Sequence, residues 1–175
     1  MQGRSTGYNS SISYEIMRKD VVAIMDQLGI PQVRVVGWSD GAIIALQMAM
    51  NAPDRLHSAF AFGTSYLVNN SNNSNSNIGD ESYSRMHKEF LQLAPHPKAW
   101  NRASTKINNR ENTEPNYKQS DFDKIPNLFG NCSAPVMWFV DGADEETINR
   151  GVPRKLHNYV PGSLELILPL VSHYA

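Results

Sequence analysis

Tyr14, Met17, Val21, Ile24 and Leu28 recur at alternating spacings of three and four, the period of one apolar stripe along an α-helix. Ser13 is suited to cap that helix, Glu15 to its positive N-terminal end, and Gly29 to closing it in a left-handed conformation. The pattern predicts an amphipathic helix over Tyr14–Leu28. Val33–Val36, a β-branched run ending at Gly37, then predicts a buried strand. Gly41–Met50 is almost wholly apolar and stops before Pro53, which predicts a buried helix. Leu56–Phe62, Val136–Val140 and Leu164–Leu168 read as three more strands, with a helical crossover over Glu145–Tyr159. Strands alternating with helices predict an α/β fold, a mainly parallel sheet with helices on both faces.

The alternation fails over 66–131. Asn69–Asn77 holds only Asn and Ser, so it has no apolar surface to bury and reads as a mobile loop. After it, Tyr83, Met86, Phe90, Leu93 and Trp100 predict one or two helices. The stretch reads as an insertion in a single domain of residues 1–175. Met1–Ser11 is small and polar, and reads as a loop.

Composition narrows the function. The chain has 175 residues, 41% apolar and 19% charged, with a formal net charge of −1. That suits one globular domain and offers no field for nucleic acid or an anionic membrane surface. No membrane-length apolar run or charged-then-apolar leader is present, so the cytoplasm is the expected location. Cys132 is the only cysteine; it forms no intramolecular disulfide, and reads as a small buried apolar residue.

The chemistry concentrates at Gly37-Trp38-Ser39-Asp40-Gly41, a G-x-S-x-G pattern. Alone the pattern is weak, and a glycine-flanked surface turn with an idle serine would share it. Here an apolar strand runs in and an apolar helix runs out. A nucleophile elbow needs that context, because the serine must sit on a strained turn that lifts its hydroxyl above the sheet edge. A side chain at either glycine is expected to crowd the neighbouring strand and helix.

With its flanks, VRVVGWSDGAIIALQMAM resembles the elbow region of the α/β-hydrolase superfamily, of the esterase and enol-lactone hydrolase type. Met1-Gln2-Gly3-Arg4-Ser5 resembles the RGxGRS loop before the helix, APVMWFVDGADEETI the strand and turn of the acid, and PGSLELILPLVSHYA the strand and loop of the histidine. The resemblance implies a partial α/β-hydrolase fold, truncated at both ends, with 66–131 as a short cap. It implies Ser39 as nucleophile and His173 as base, while the four other histidines read as structural or solvated. The acid is Glu145, by the family's spacing from Gly142, or Asp144, one position earlier. Asp141 reads as a strand-end turn residue.

One oxyanion donor would be the backbone N–H of Asp40, and the second belongs to a loop not found in this sequence. Trp38 and Trp100 are candidates to line a substrate pocket. The implied activity is cleavage of a small ester, thioester or enol-lactone through an acyl-enzyme. A small-molecule substrate is the expected partner, with no metal or organic cofactor, nucleic acid or membrane. A truncated, non-catalytic hydrolase remnant or pseudoenzyme is the alternative, and an acyltransferase would share the acyl-enzyme.

Overall fold

A computed structural model describes residues 4–5, 11–70, 77–129 and 133–174 of the chain, with the side chains of 77–82 excluded. Among the described residues four strands form: β1 (Val33–Trp38), β2 (Leu56–Phe62), β3 (Val136–Gly142) and β4 (Leu164–Leu168). The α-helices described with them are α1 (Tyr14–Gln27), α2 (Asp40–Asn51), α3 (Asn77–Leu93), α4 (Trp100–Glu111), α5 (Gln119–Phe122) and α6 (Val152–Tyr159). The sheet runs in the order β1-β2-β3-β4, and every neighbouring pair is parallel. This is the α/β architecture that the strand–helix alternation predicts.

Helix α1 closes as its sequence suggests. Gly29 adopts φ +66, and the N–H of Ile30 reaches back to the carbonyl of Met25 at 2.8 Å. An L side chain tolerates that left-handed turn poorly. Helix α2 is the core element, with Ala42, Ala45, Leu46, Met48 and Ala49 fully buried. Its alanines, and Ala59 and Ala61 on β2, are small enough for helix and sheet to approach closely. Val152 and Leu156 of α6 extend the same cluster over Met137 and Phe139 of β3. Truncating Leu46 to alanine would cost about 2–5 kcal/mol.

The core lies on one face of the sheet. Val35, Ala59 and Met137 are cross-strand neighbours on that face. The opposite face carries Val36, Phe60, Trp138 and Leu164 in register across all four strands. Val36 is 83% exposed and Leu164 41%. Among the described residues, α1, α2 and α6 thus share one cluster and leave an apolar sheet face open, where the sequence predicts helices on both sides.

The crossover between β3 and β4 is also shorter than expected. Only Val152–Tyr159 is helical, with Pro153 in its first turn. Residues 145–151 instead wrap around Glu145, whose carboxylate takes the N–H groups of Thr147 and Ile148. A side chain that claims those backbone donors favours a turn over a helix.

The chain divides into two compact units. Tyr66, Leu67, Tyr117, Phe122 and Ile125, inside the expected insertion, pack with the core of the sheet-containing unit. The other unit contains α3 and α4, packed through Phe90, Ala94, Ala103 and Trp100. Asn70 ends a single 3-10 turn and Asn77 begins α3. The intervening part of the Asn/Ser tract lies outside the described residues, as do Cys132 and Met1–Gly3. No described helix is long and apolar enough to cross a membrane.

Candidate active site

Ser39 occupies the turn from β1 into α2 with φ 53 and ψ −115. A non-glycine residue there is strained, and the surrounding bonds hold it in place. Its N–H donates to the carbonyl of Phe62 at 2.9 Å, and its own carbonyl accepts from Ala42 and Ile43 at 2.9 and 3.1 Å. Gly37 permits the turn: a Cβ there would stand 2.4 Å from the carbonyl oxygen of Gly41. At Gly41 itself an added Cβ would meet nothing within 4 Å. The crowding expected at both glycines is therefore confined to Gly37, because it is the backbone of Gly41 that comes close.

His173 follows β4 and is 2% exposed. Its Nδ1 lies 3.0 Å from Oε2 of Glu145. Oε1 of Glu145 accepts the N–H groups of Thr147 and Ile148 at 2.7 and 2.8 Å. Burial pushes this carboxyl up, but hydrogen bonds from His173, Asp141 and the Ile148 N–H outweigh it and bring Glu145 down to about 2. Glu145 is therefore an ionised acceptor, which assigns the donor proton to Nδ1 and leaves Nε2 as the basic nitrogen.

The loop is tied at its backbone as well. The N–H of His173 donates to Oε2 of Glu146 at 3.0 Å, and its carbonyl accepts Nε1 of Trp38 at 2.8 Å. The ring lies 5.6 Å from that of Trp38 and 6.5 Å from that of Phe62, between centroids. A Cβ on Gly142 would lie 2.0 Å from the carbonyl oxygen of Val171, so the histidine loop crosses directly over the end of β3.

Ser39, Glu145 and His173 thus follow the carboxyl ends of β1, β3 and β4, where parallel α/β sheets hold their sites. The link between them is the Phe62–Gly63 turn, which binds Ser39 through its backbone and abuts the His173 ring. Among the described residues, no hydrogen bond joins the Ser39 hydroxyl to His173.

Asp144, the alternative acid, is not brought to the imidazole. Its N–H donates to the carbonyl of Val171, which turns its side chain out to solvent. Asp40 is the first residue of α2, with its carboxylate accepting the hydroxyl of Tyr14 at 2.6 Å. Trp38 is half exposed beside His173. Trp100 belongs to the helical unit, where it stacks on His87 at 4.6 Å and meets Tyr83 and Phe90 edge-on. That packing accounts for its indole without a ligand. His57 and His96 are exposed, and His157 contacts Ser163.

Sequence reasoning missed Tyr14, Gly63, Glu146 and the burial of Asp141. Only Asp141 left a trace, as a carboxylate closing an otherwise apolar strand.

The family model described as alpha/beta hydrolase fold matches residues 2–175. Among solved structures, an N-acyl homoserine lactone degrading enzyme superposes with a TM-score of 0.71 at 19% identity, over 98% of this chain and 74% of that one. A meta-cleavage product hydrolase from Pseudomonas fluorescens IP01 gives 0.66 at 13% identity, over 97% and 68%. A thermophilic esterase from Thermogutta terrifontis gives 0.59 at 14% identity, over 99% and 70%.

Proposed function

The chain belongs to the alpha/beta hydrolase family, and from that premise we propose that it is a serine hydrolase cleaving a small ester, thioester or enol-lactone through an acyl-enzyme on Ser39. The observation that carries this reading is the buried bond between His173 Nδ1 and Glu145 Oε2, 3.0 Å long, in a loop that abuts the turn holding Ser39. Such a bond fixes the imidazole tautomer and stabilises the imidazolium that forms when Nε2 takes the serine proton.

The Ser39 hydroxyl attacks the acyl carbon as its proton passes to Nε2 of His173. The carbonyl oxygen gains the charge, and the N–H of Asp40, the residue after the nucleophile, is its first donor. Collapse expels the alcohol, thiol or enol, which takes the proton back from His173. Water, deprotonated by the same nitrogen, then attacks the acyl-enzyme and releases the acid. The Ser39–His173 hydrogen bond forms on substrate binding, since catalytic hydrogen bonds often tighten only then. A lactone-degrading enzyme, a meta-cleavage product hydrolase and an esterase share this fold, which supports an acyl substrate.

A fluorophosphonate probe tests the reading directly. Labelling of the folded chain that disappears in Ser39→Ala supports it. A folded chain that resists labelling sinks it and leaves a non-catalytic member of the family.

A further inference from the structure

Beside the Glu145–His173 bond lies a carboxyl group that the proposed mechanism does not use. Asp141, next to last on β3, is 1% exposed, and Glu145 is 2% exposed. Oδ1 of Asp141 accepts the N–H of Gly142 at 3.2 Å, whereas Oδ2 is buried with no donor supplied to it. Glu145 has the opposite supply: two backbone N–H groups on Oε1 and the imidazole on Oε2.

Two ionised carboxylates buried close together repel each other and lose hydration, so one of them keeps a proton. The donors decide which one. Three of them hold Glu145 in its charged form, whereas Asp141 has a buried oxygen to which no described residue donates.

We propose that Asp141 and Glu145 form a buried pair sharing one proton, carried on Asp141 and donated to Glu145, which makes Asp141 a positioning residue for the acid that orients His173. The inference rests on the serine-hydrolase reading for its role, and on burial and donor supply for the pair itself.

The surrounding charges agree. Glu145 and Glu146, on the loop after β3, both disfavour an ionised Asp141, and His173 approaches from the loop after β4. Arg154 on α6 is engaged with Glu165 on β4 at 2.8 Å. Burial, followed by the hydrogen bond with Glu145 and its charge, pushes Asp141 up to about 8. At neutral pH the pair then carries a single negative charge. Above pH 8 the proton leaves to solvent, Glu145 loses a donor, and a second charge enters the pocket.

The test is carbon-13 NMR of the aspartate side-chain carboxyls in the whole chain, titrated with pH, beside the Asp141→Asn variant. One resonance is expected to titrate well above the ordinary carboxylate range and to vanish in D141N. Fluorophosphonate labelling of Ser39 is expected to slow about tenfold in D141A, the loss of one charge-assisted hydrogen bond, and to recover largely in D141N, whose amide donates in the same direction. An Asp141 resonance that titrates below pH 5 overturns the shared proton. D141A labelled as fast as the native chain overturns the positioning role. A native chain that is not labelled at all overturns the hydrolase reading instead, and the NMR titration still decides the pair.

Discussion

Gly63 lies against the imidazole of His173: a Cβ built on it would stand 2.7 Å from both Nδ1 and Cε1 of the ring. The same glycine has φ +60, and its N–H donates to the carbonyl of Val140 at 3.0 Å. It therefore cannot retreat without breaking that bond to β3. The histidine is held by Glu145 on Nδ1, by Glu146 and Trp38 on its backbone, and by the lack of a side chain at residue 63.

Gly63→Ala is expected to push the ring off Nδ1 alignment and to strain the backbone at positive φ. A misplacement of about 1 Å at a catalytic group costs on the order of 10² in rate, and the left-handed alanine costs roughly 1–2 kcal/mol of stability. The rate of fluorophosphonate labelling and the urea midpoint measure the two effects. Native-rate labelling in G63A would show that the ring tolerates displacement.

Glu145→Gln keeps the shape of the acid but removes its charge, and its amide can present a donor where the imidazole needs an acceptor. In a serine protease the equivalent change lowers kcat about 10⁴-fold, and a loss of that order is expected here. Asp144→Asn, on an exposed side chain, is expected to stay within about twofold, as surface substitutions do. Hydrolysis of a nitrophenyl ester by the two variants discriminates between the carboxylates. A larger loss in D144N would exchange their roles.

That Glu145, and not Asp144, meets His173 shows how much of the candidate site was legible. Residue order, the G-x-S-x-G turn and a histidine after the last strand carry over to the structure because each depends on local backbone geometry. Which carboxylate turns inward depends on a contact between loops, the bond from the Asp144 N–H to Val171, and spacing alone left it open. Gly63 and Tyr14 left no local signal, since the ring and the carboxylate they meet come from distant parts of the chain. The open sheet face escaped for another reason. Strands such as VMWFV are apolar at both parities, which reads as burial on two sides whether or not a second layer is present.

That open face should be sticky. Val36, Phe60, Trp138 and Leu164 run in register across four strands, and contiguous exposed apolar area promotes association. The chain is expected to bind a hydrophobic dye strongly and to self-associate at raised concentration. Val36→Lys together with Leu164→Lys is expected to reduce both, with little change in the urea midpoint, since neither side chain reaches the core on the other face. Sedimentation and dye fluorescence report the outcome. Unchanged association in the double variant would locate the adhesive surface elsewhere.

Stability should depend on pH in two opposed ways. Glu145 falls from an ordinary 4.5 to about 2 in the folded chain, so its contribution is present above pH 4.5 and is lost as pH falls toward 2. Asp141 rises from an ordinary 3.8 to about 8, so the fold favours its protonated form. That contribution is complete below pH 3.8, declines as pH rises, and is gone above 8. A single proton gives a slope of at most about 1.4 kcal/mol per pH unit. Other groups titrate over the same range, so the informative quantity is the native midpoint minus that of D141N, measured in urea at pH 5, 6, 7, 8 and 9. The difference is expected to shift steadily against the native chain up to pH 8 and then level off, because the amide neither gains nor loses a proton. A difference that stays flat from pH 5 to pH 9 would mean that Asp141 is ionised throughout, and that water or a cation reaches the oxygen found buried without a donor.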